Sequence, residues 1–182
     1  MPLSFIRNAE IYGEGERAEH LYKVTSGIVR TCKFLIDGRR QIGAFYLPGD
    51  TFGLETTGEH TFSAEAATDV DVLAVDRDVA ASAQLWILMC RELRCTQDRL
   101  LLLAKTAPER VASFLLEMAE RIHSRDGVEL PMSRQDIADY LGLTIETVSR
   151  TLTQLRNESA IVLTTSKHIV LRNRAALRRL TD

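Results

Sequence analysis

The sequence predicts an α+β chain in three parts. Residues 1–77 read as a small antiparallel β-roll, residues 78–106 as one long helix, and residues 107–182 as a helix-turn-helix followed by a hairpin wing. Three observations predict this order. Short runs bounded by turn residues fill the first part. A stretch without glycine or proline then repeats its apolar residues every seven positions. Near the C-terminus, two capped helical patterns meet at a glycine.

In the first part, Leu21–Thr25, Ile28–Ile36, Arg40–Tyr46, Phe62–Ala66 and Val70–Val75 are the strand candidates. Gly27, Asp37-Gly38 and Pro48-Gly49-Asp50 are the turns between them. Regular short strands of this kind close into a roll.

In the middle part, Val79, Trp86, Leu93 and Leu100 recur every seven residues, and Ser82, Met89, Thr96 and Leu103 follow each by three. This is a heptad seam with polar residues at two of its second positions, the pattern of a dimerisation helix. A single amphipathic helix lying on its own roll is the competing reading, and Leu85, Leu88 and Leu101 supply a second apolar strip for it.

The third part opens with Pro108 at the start of a helix whose buried stripe is Val111, Phe114, Leu115, Met118 and Ile122. Residues 124–127 break it. Ser133 then caps a second helix, with Asp136 completing an acidic capping box. Ile137, Ala138 and Leu141 recur at helical spacing, and Gly142 ends the run as a left-handed residue does. Thr144 caps the next helix, where Val148, Leu152 and Leu155 form an apolar stripe. Glu146, Ser149, Arg150 and Thr153 form a separate polar stripe. That division suits a helix with one face on its domain and the other in the major groove. Ile161–Leu163 and Ile169–Leu171 flank a polar tip and read as the wing, with Lys167 positioned either to meet phosphate or merely to keep a hairpin in solution.

The polar stripe has the chemistry to read bases. Arginine can pair bidentately with guanine O6 and N7, and a carboxylate can accept from cytosine N4. Glu146 and Arg150 lie on one face and can address the two halves of one G·C pair, with Ser149 between them. An ordinary Glu–Arg pair on a wet helix face, worth about 0.2–0.5 kcal/mol, is the bland alternative. Both caps, the glycine turn and the segregated stripes favour DNA.

Composition fits this reading. With 45% apolar and 26% charged residues the chain has the balance of a soluble globular protein. No apolar run reaches membrane-span length, and the N-terminus lacks the long apolar stretch of a secretory signal, so the expectation is a cytoplasmic protein without a membrane partner. The net charge is −2, but it is unevenly spread. From Ser133 onward eight Lys or Arg face five Asp or Glu, whereas fifteen face twenty before it. A basic DNA-binding part on an acidic regulatory part gives this asymmetry. No P-loop, zinc signature or Ser/His/Asp arrangement suggests an enzyme. His20, His60, His123 and His168 lack metal-ligand spacing, so no metal site is expected. Cys32, Cys90 and Cys95 are too few for the usual four-cysteine iron–sulfur cluster. Cys90 and Cys95 point about 140° apart on a helix. They read as reduced, partly buried thiols, with a redox switch left open.

The string Leu-Gly-Leu-Thr-Ile-Glu-Thr-Val-Ser-Arg, residues 141–150, is similar to the signature of the Fnr and FixK branches of the Crp/Fnr superfamily of bacterial transcription regulators. Residues 38–53 resemble the jelly-roll of that family's cyclic-nucleotide-binding domain, so the resemblance spans nearly the whole chain. It is strongest toward the FixK type of regulator from nitrogen-fixing bacteria. The resemblance implies an N-terminal jelly-roll, a dimerisation helix and a C-terminal winged helix-turn-helix. It implies base reading by Glu146, Ser149 and Arg150, and phosphate contacts by Arg134, Gln135, Thr144 and Thr147. Palindromic sites with TTGA-like half-sites, a homodimer, activation of transcription and contact with RNA polymerase are further implications. One departure stands out. Nucleotide-binding relatives carry a glutamate after the glycine matching Gly53, and an arginine that holds the cyclic phosphate. Here Leu54 follows Gly53, and Glu59-His60-Thr61-Phe62-Ser63 holds no arginine. A buried phosphate would go uncompensated. His60, a lone loop histidine, is expected to face solvent. No cofactor is therefore expected. A small-molecule or redox sensor, whose ligand or thiol state controls DNA binding, is the alternative; so is a sensor whose helix-turn-helix meets a protein.

Overall fold

A computed structural model describes residues 1–76, 82–122, 128–165 and 168–181. The chain folds as two compact units, Met1–Gln97 and Asp98–Asp182.

The first unit is a jelly-roll of two four-stranded antiparallel sheets. One is formed by β1 (Pro2–Phe5), β8 (Val70–Asp76), β3 (His20–Ser26) and β6 (Thr51–Phe52), in that order. The other runs β2 (Glu10–Tyr12), β7 (Ser63–Ala66), β4 (Val29–Phe34) and β5 (Arg40–Tyr46). All five expected strands are present, and β1, β2 and β6 are additional. The expected turns fall where the strands reverse. Gly27 is the tightest of them: its φ is 74°, and a Cβ there would lie 2.1 Å from the Asp69 carbonyl oxygen. Alternation turns Val24, Val29, Phe52, Ala64, Ala66, Val70 and Val72 into a shared core, closed by Tyr12.

Among the polar side chains buried in this unit, His60 runs against expectation and Arg30 carries an ion pair. His60 is buried, with 3% exposure, rather than facing solvent. Its imidazole lies parallel to the Tyr12 ring, with centroids 3.5 Å apart and planes at 9°. Burial pushes its pKa down, against the weaker pull of Glu55 and Glu16. Arg30, on β4, is also buried, and donates from Nε at 2.8 Å and Nη2 at 2.6 Å to Glu65 Oε2 on the paired strand β7.

Helix α1 (Ser82–Ala104) matches the uninterrupted central stretch and passes from the first unit into the second. Within the first unit an Arg91–Asp50 ion pair ties it to the turn after β5. Cys32 is buried, and burial together with the nearby Glu65 charge pushes its thiol up to about 12. Cys90 and Cys95, read as partly buried, are exposed instead.

The second unit packs α2 (Ala107–Arg121) against α3 (Arg134–Leu141), α4 (Ile145–Asn157) and α5 (Arg174–Thr181). Val111, Phe114, Leu115 and Met118 are buried as expected, while Ile122, at the helix end, is half-buried. The break expected at residues 124–127 lies outside the described residues. The wing is a three-stranded sheet, ordered β10 (Val162–Leu163), β11 (His168–Val170) and β9 (Val128–Glu129). The hairpin was legible in advance, but its third strand was not.

Candidate nucleic-acid interface

Local chemistry fixes the angle between α3 and α4. At the start of α3, Ser133 Oγ accepts from the Asp136 amide at 3.0 Å, and Asp136 Oδ2 accepts from the Ser133 amide at 3.1 Å. This closes the expected capping box. The helix stops at Gly142, whose φ of 63° and ψ of 38° are left-handed. Two residues on, Thr144 Oγ1 accepts from the Thr147 amide at 3.2 Å and starts α4. Arg110 braces the turn from α2. Its guanidinium donates to the carbonyls of Leu103 at 2.6 Å, Lys105 at 2.8 Å and Leu141 at 2.9 Å.

Helix α4 is sharply two-sided. Val148, Leu152 and Leu155 are no more than 2% exposed, whereas Glu146, Ser149, Arg150 and Thr153 are all exposed. The three expected base readers therefore share one open face, beginning in the first turn. There the unpaired backbone N–H groups of a helix favour an anionic neighbour. The Glu146 carboxyl is held below its usual range by its own backbone amide, then by the Thr144 hydroxyl and the Arg150 charge. Arg150 Nη2 donates to Thr147 Oγ1 at 3.3 Å.

The expected phosphate contacts are more varied. Gln135 is exposed and donates to Asp139 Oδ1 at 2.6 Å. Thr144 is exposed and Thr147 half-buried. Arg134 is half-buried at the start of α3, and burial lowers its pKa. Lys167 lies outside the described residues. Arg110 was not singled out in advance; it acts on backbone carbonyls, which leave no mark in a side-chain pattern.

On α1, the expected dimer seam is open. Trp86 is 67% exposed, Leu93 60% and Leu100 64%, and Met89, Thr96 and Leu103 are exposed with them. Thr96 Oγ1 bonds back to the Glu92 carbonyl of its own helix. Val79 lies outside the described residues. Of the second strip, Leu85 and Leu88 are half-buried, but Leu101 is exposed. Among the described residues no helix is long and apolar enough to cross a membrane, and no cluster of three or more His, Cys, Asp or Glu could hold a metal ion.

Comparison with known proteins matches both units. Residues 109–180 fit the Crp-like helix-turn-helix domain, and residues 2–83 fit the cyclic nucleotide-binding domain. The nitrogen fixation regulation protein FixK of Azorhizobium caulinodans is 50% identical over 194 residues, covering 98% of this chain and 78% of that protein. FixK of Rhizobium meliloti is 42% identical over 176 residues, covering 95% and 83%. The solved structure of FixK2 from Bradyrhizobium japonicum superposes with a TM-score of 0.95 at 48% identity, over 100% of this chain and 97% of that one. On the capped turn, the two-sided helix and these relatives, the chain belongs to the Crp/Fnr family and is a DNA-binding transcription regulator.

Proposed function

We propose that the chain works as a homodimer, reads a palindrome with TTGA-like half-sites, and activates transcription through contact with RNA polymerase in the cytoplasm. The carrying observation is the open face of α4, with Glu146, Ser149 and Arg150 on one side and Val148, Leu152 and Leu155 buried on the other. Arg150 takes guanine, Glu146 takes the cytosine paired with it, and Ser149 takes the neighbouring base edge. Arg134, Gln135, Thr144, Thr147 and Lys167 serve the phosphates, as the family match suggests. The similarity to proteins named for nitrogen fixation regulation supports nitrogen-fixation genes as targets. An open seam containing Trp86, Met89, Leu93, Leu100 and Leu103, with Thr96 in register, supports a second copy as the cover for α1.

We further propose that this regulator needs no cyclic nucleotide and no iron–sulfur cluster. The roll does not fit an anionic cyclic phosphate. Its Gly53–Ser63 segment offers no arginine, its histidine is stacked on Tyr12 with burial disfavouring the charged form, and Glu55 and Glu16 face that histidine. One observation favours a second mode of control: Cys90 and Cys95 are exposed on the dimerisation helix, where oxidation could change pairing. Gel shifts with a random duplex pool, run with and without reductant, test both points. Selection of one palindrome under both conditions supports constitutive binding. Selection only with reductant supports thiol control.

A further inference from the structure

We infer that Arg99 couples the end of α1 to the reading helices, so that the last turns of α1 and the α3–α4 pair move as one body. This makes Arg99 a positioning residue for the spacing of half-sites, with Tyr140 as its seat. The inference rests on the proposed homodimer and its palindrome.

The last turns of α1 show two different sides. Leu100 and Leu103, in the proposed seam, are exposed, while Leu102 is buried and Arg99 is half-buried. The stretch that offers its seam to a second copy therefore also touches its own DNA-binding domain. Arg99 makes that touch specific. Its guanidinium carbon lies 4.7 Å from the centre of the Tyr140 ring, and its Nη2 donates to the Tyr140 carbonyl at 3.1 Å. One side chain thus holds both the ring and the backbone of α3, just ahead of Gly142. Tyr140 in turn meets Phe114 of α2, with ring centroids 5.7 Å apart. A cation over a ring is held more strongly where water is excluded.

The link after α1 is no free swivel. Lys105 and Thr106 alone separate α1 from α2, and both are tied down. The Lys105 carbonyl accepts from Arg110 Nε at 2.8 Å, and Lys105 Nζ donates to the Thr181 carbonyl of α5 at 2.6 Å. The Thr106 amide donates to Glu109 Oε2 at 2.7 Å. A swing of α1 about this link would break these bonds and lift Arg99 off Tyr140. Palindrome recognition needs two reading helices at a fixed separation. Helices fastened to α1 take that separation from the pairing of α1 with its copy.

Spacing is the readout that separates coupling from plain stabilisation. Three duplexes serve: the palindrome selected by the parent, the same palindrome with one base pair inserted at its centre, and a single half-site. The full-length proteins are the parent, Arg99→Met, Tyr140→Leu, the Arg99→Met/Tyr140→Leu pair and Tyr140→Phe. Coupling predicts that the parent prefers the unaltered palindrome over the inserted one. Arg99→Met and Tyr140→Leu should each shrink that preference about twofold to thirtyfold, the range for a change in coupling between sites. Their combination should shrink it no further, and Tyr140→Phe, which keeps the ring, should retain the parent's preference. Half-site affinity should match the parent's throughout, which also shows that the reading helices remain folded. An unchanged spacing preference in both single variants overturns the coupling. So does an equal loss on all three duplexes, which leaves Arg99 a stabilising residue alone. A parent that binds the half-site as tightly as the palindrome overturns the homodimer reading, and the coupling with it.

Discussion

Arg110 Nη1 donates to the Leu141 carbonyl at 2.9 Å, and so joins the start of α2 to the last turn of α3, just ahead of Gly142. Its other donors hold Leu103 and Lys105 at the end of α1. Three carbonyls that helix ends would otherwise leave to water are gathered by one planar fork. Arg110→Ala should lower the stability of the C-terminal unit by about 1.5–3 kcal/mol, the range for a hydrogen bond to a charged group. Arg110→Lys should recover little, because an ammonium lacks the fork. Urea unfolding followed by circular dichroism would measure both.

Gly142 should tolerate alanine poorly for reasons of backbone alone. A Cβ there meets nothing closer than Arg110 Nη1 at 3.6 Å, so space is not the obstacle. The left-handed φ is, at about 1–2 kcal/mol for a residue with a Cβ. Gly142→Ala should lose that amount in denaturant unfolding, and Gly142→Asn less.

His60 should give the roll an acid limit. Burial lowers its folded-state pKa below the ordinary value of about 6.5. Below that value the unfolded chain takes up a proton that the folded chain resists, so the contribution is present above it and is lost as pH falls through the folded pKa. His60→Phe keeps a ring on Tyr12 and removes the titration. Melting temperature against pH should fall below about 6.5 in the parent, and less steeply in the variant. Identical profiles would assign the acid sensitivity to other groups.

Leu93→Glu should break the proposed seam. Burying a leucine contributes about 1.5–3 kcal/mol, so even the lower value raises a dimer dissociation constant about tenfold, and two copies are affected at once. Sedimentation should show a shift toward monomer, with palindrome affinity falling in step. Half-site affinity should hold.

The sequence was most readable where structure is local. Ser133, Asp136, Gly142 and Thr144 act within three or four residues of themselves, so the helix-turn-helix could be placed to the residue. The same holds for the two faces of α4, which follow from helical spacing alone. Strands β1 and β6 were invisible because they are short and take their identity from distant partners, Pro2–Phe5 on Val70–Leu73 and Thr51–Phe52 on Tyr22–Lys23. His60 looked like a loop residue because its burial depends on Tyr12, which only the closed roll brings to it. The Arg30–Glu65 pair needed the β4–β7 register, which no pattern states. Thr147 and Arg150 are different: three positions apart on one helix, their contact was within reach of spacing rules.

Selection of DNA sites from a random duplex pool, by the parent and by Arg150→Ala in parallel, tests the central claim most directly. The parent should recover one palindrome with a G·C pair in each half-site. The variant should lose about 1–3 kcal/mol on that site and relax its choice at that pair alone. Recovery of the same palindrome with the same affinity by both proteins would contradict the assignment of the α4 face to base recognition.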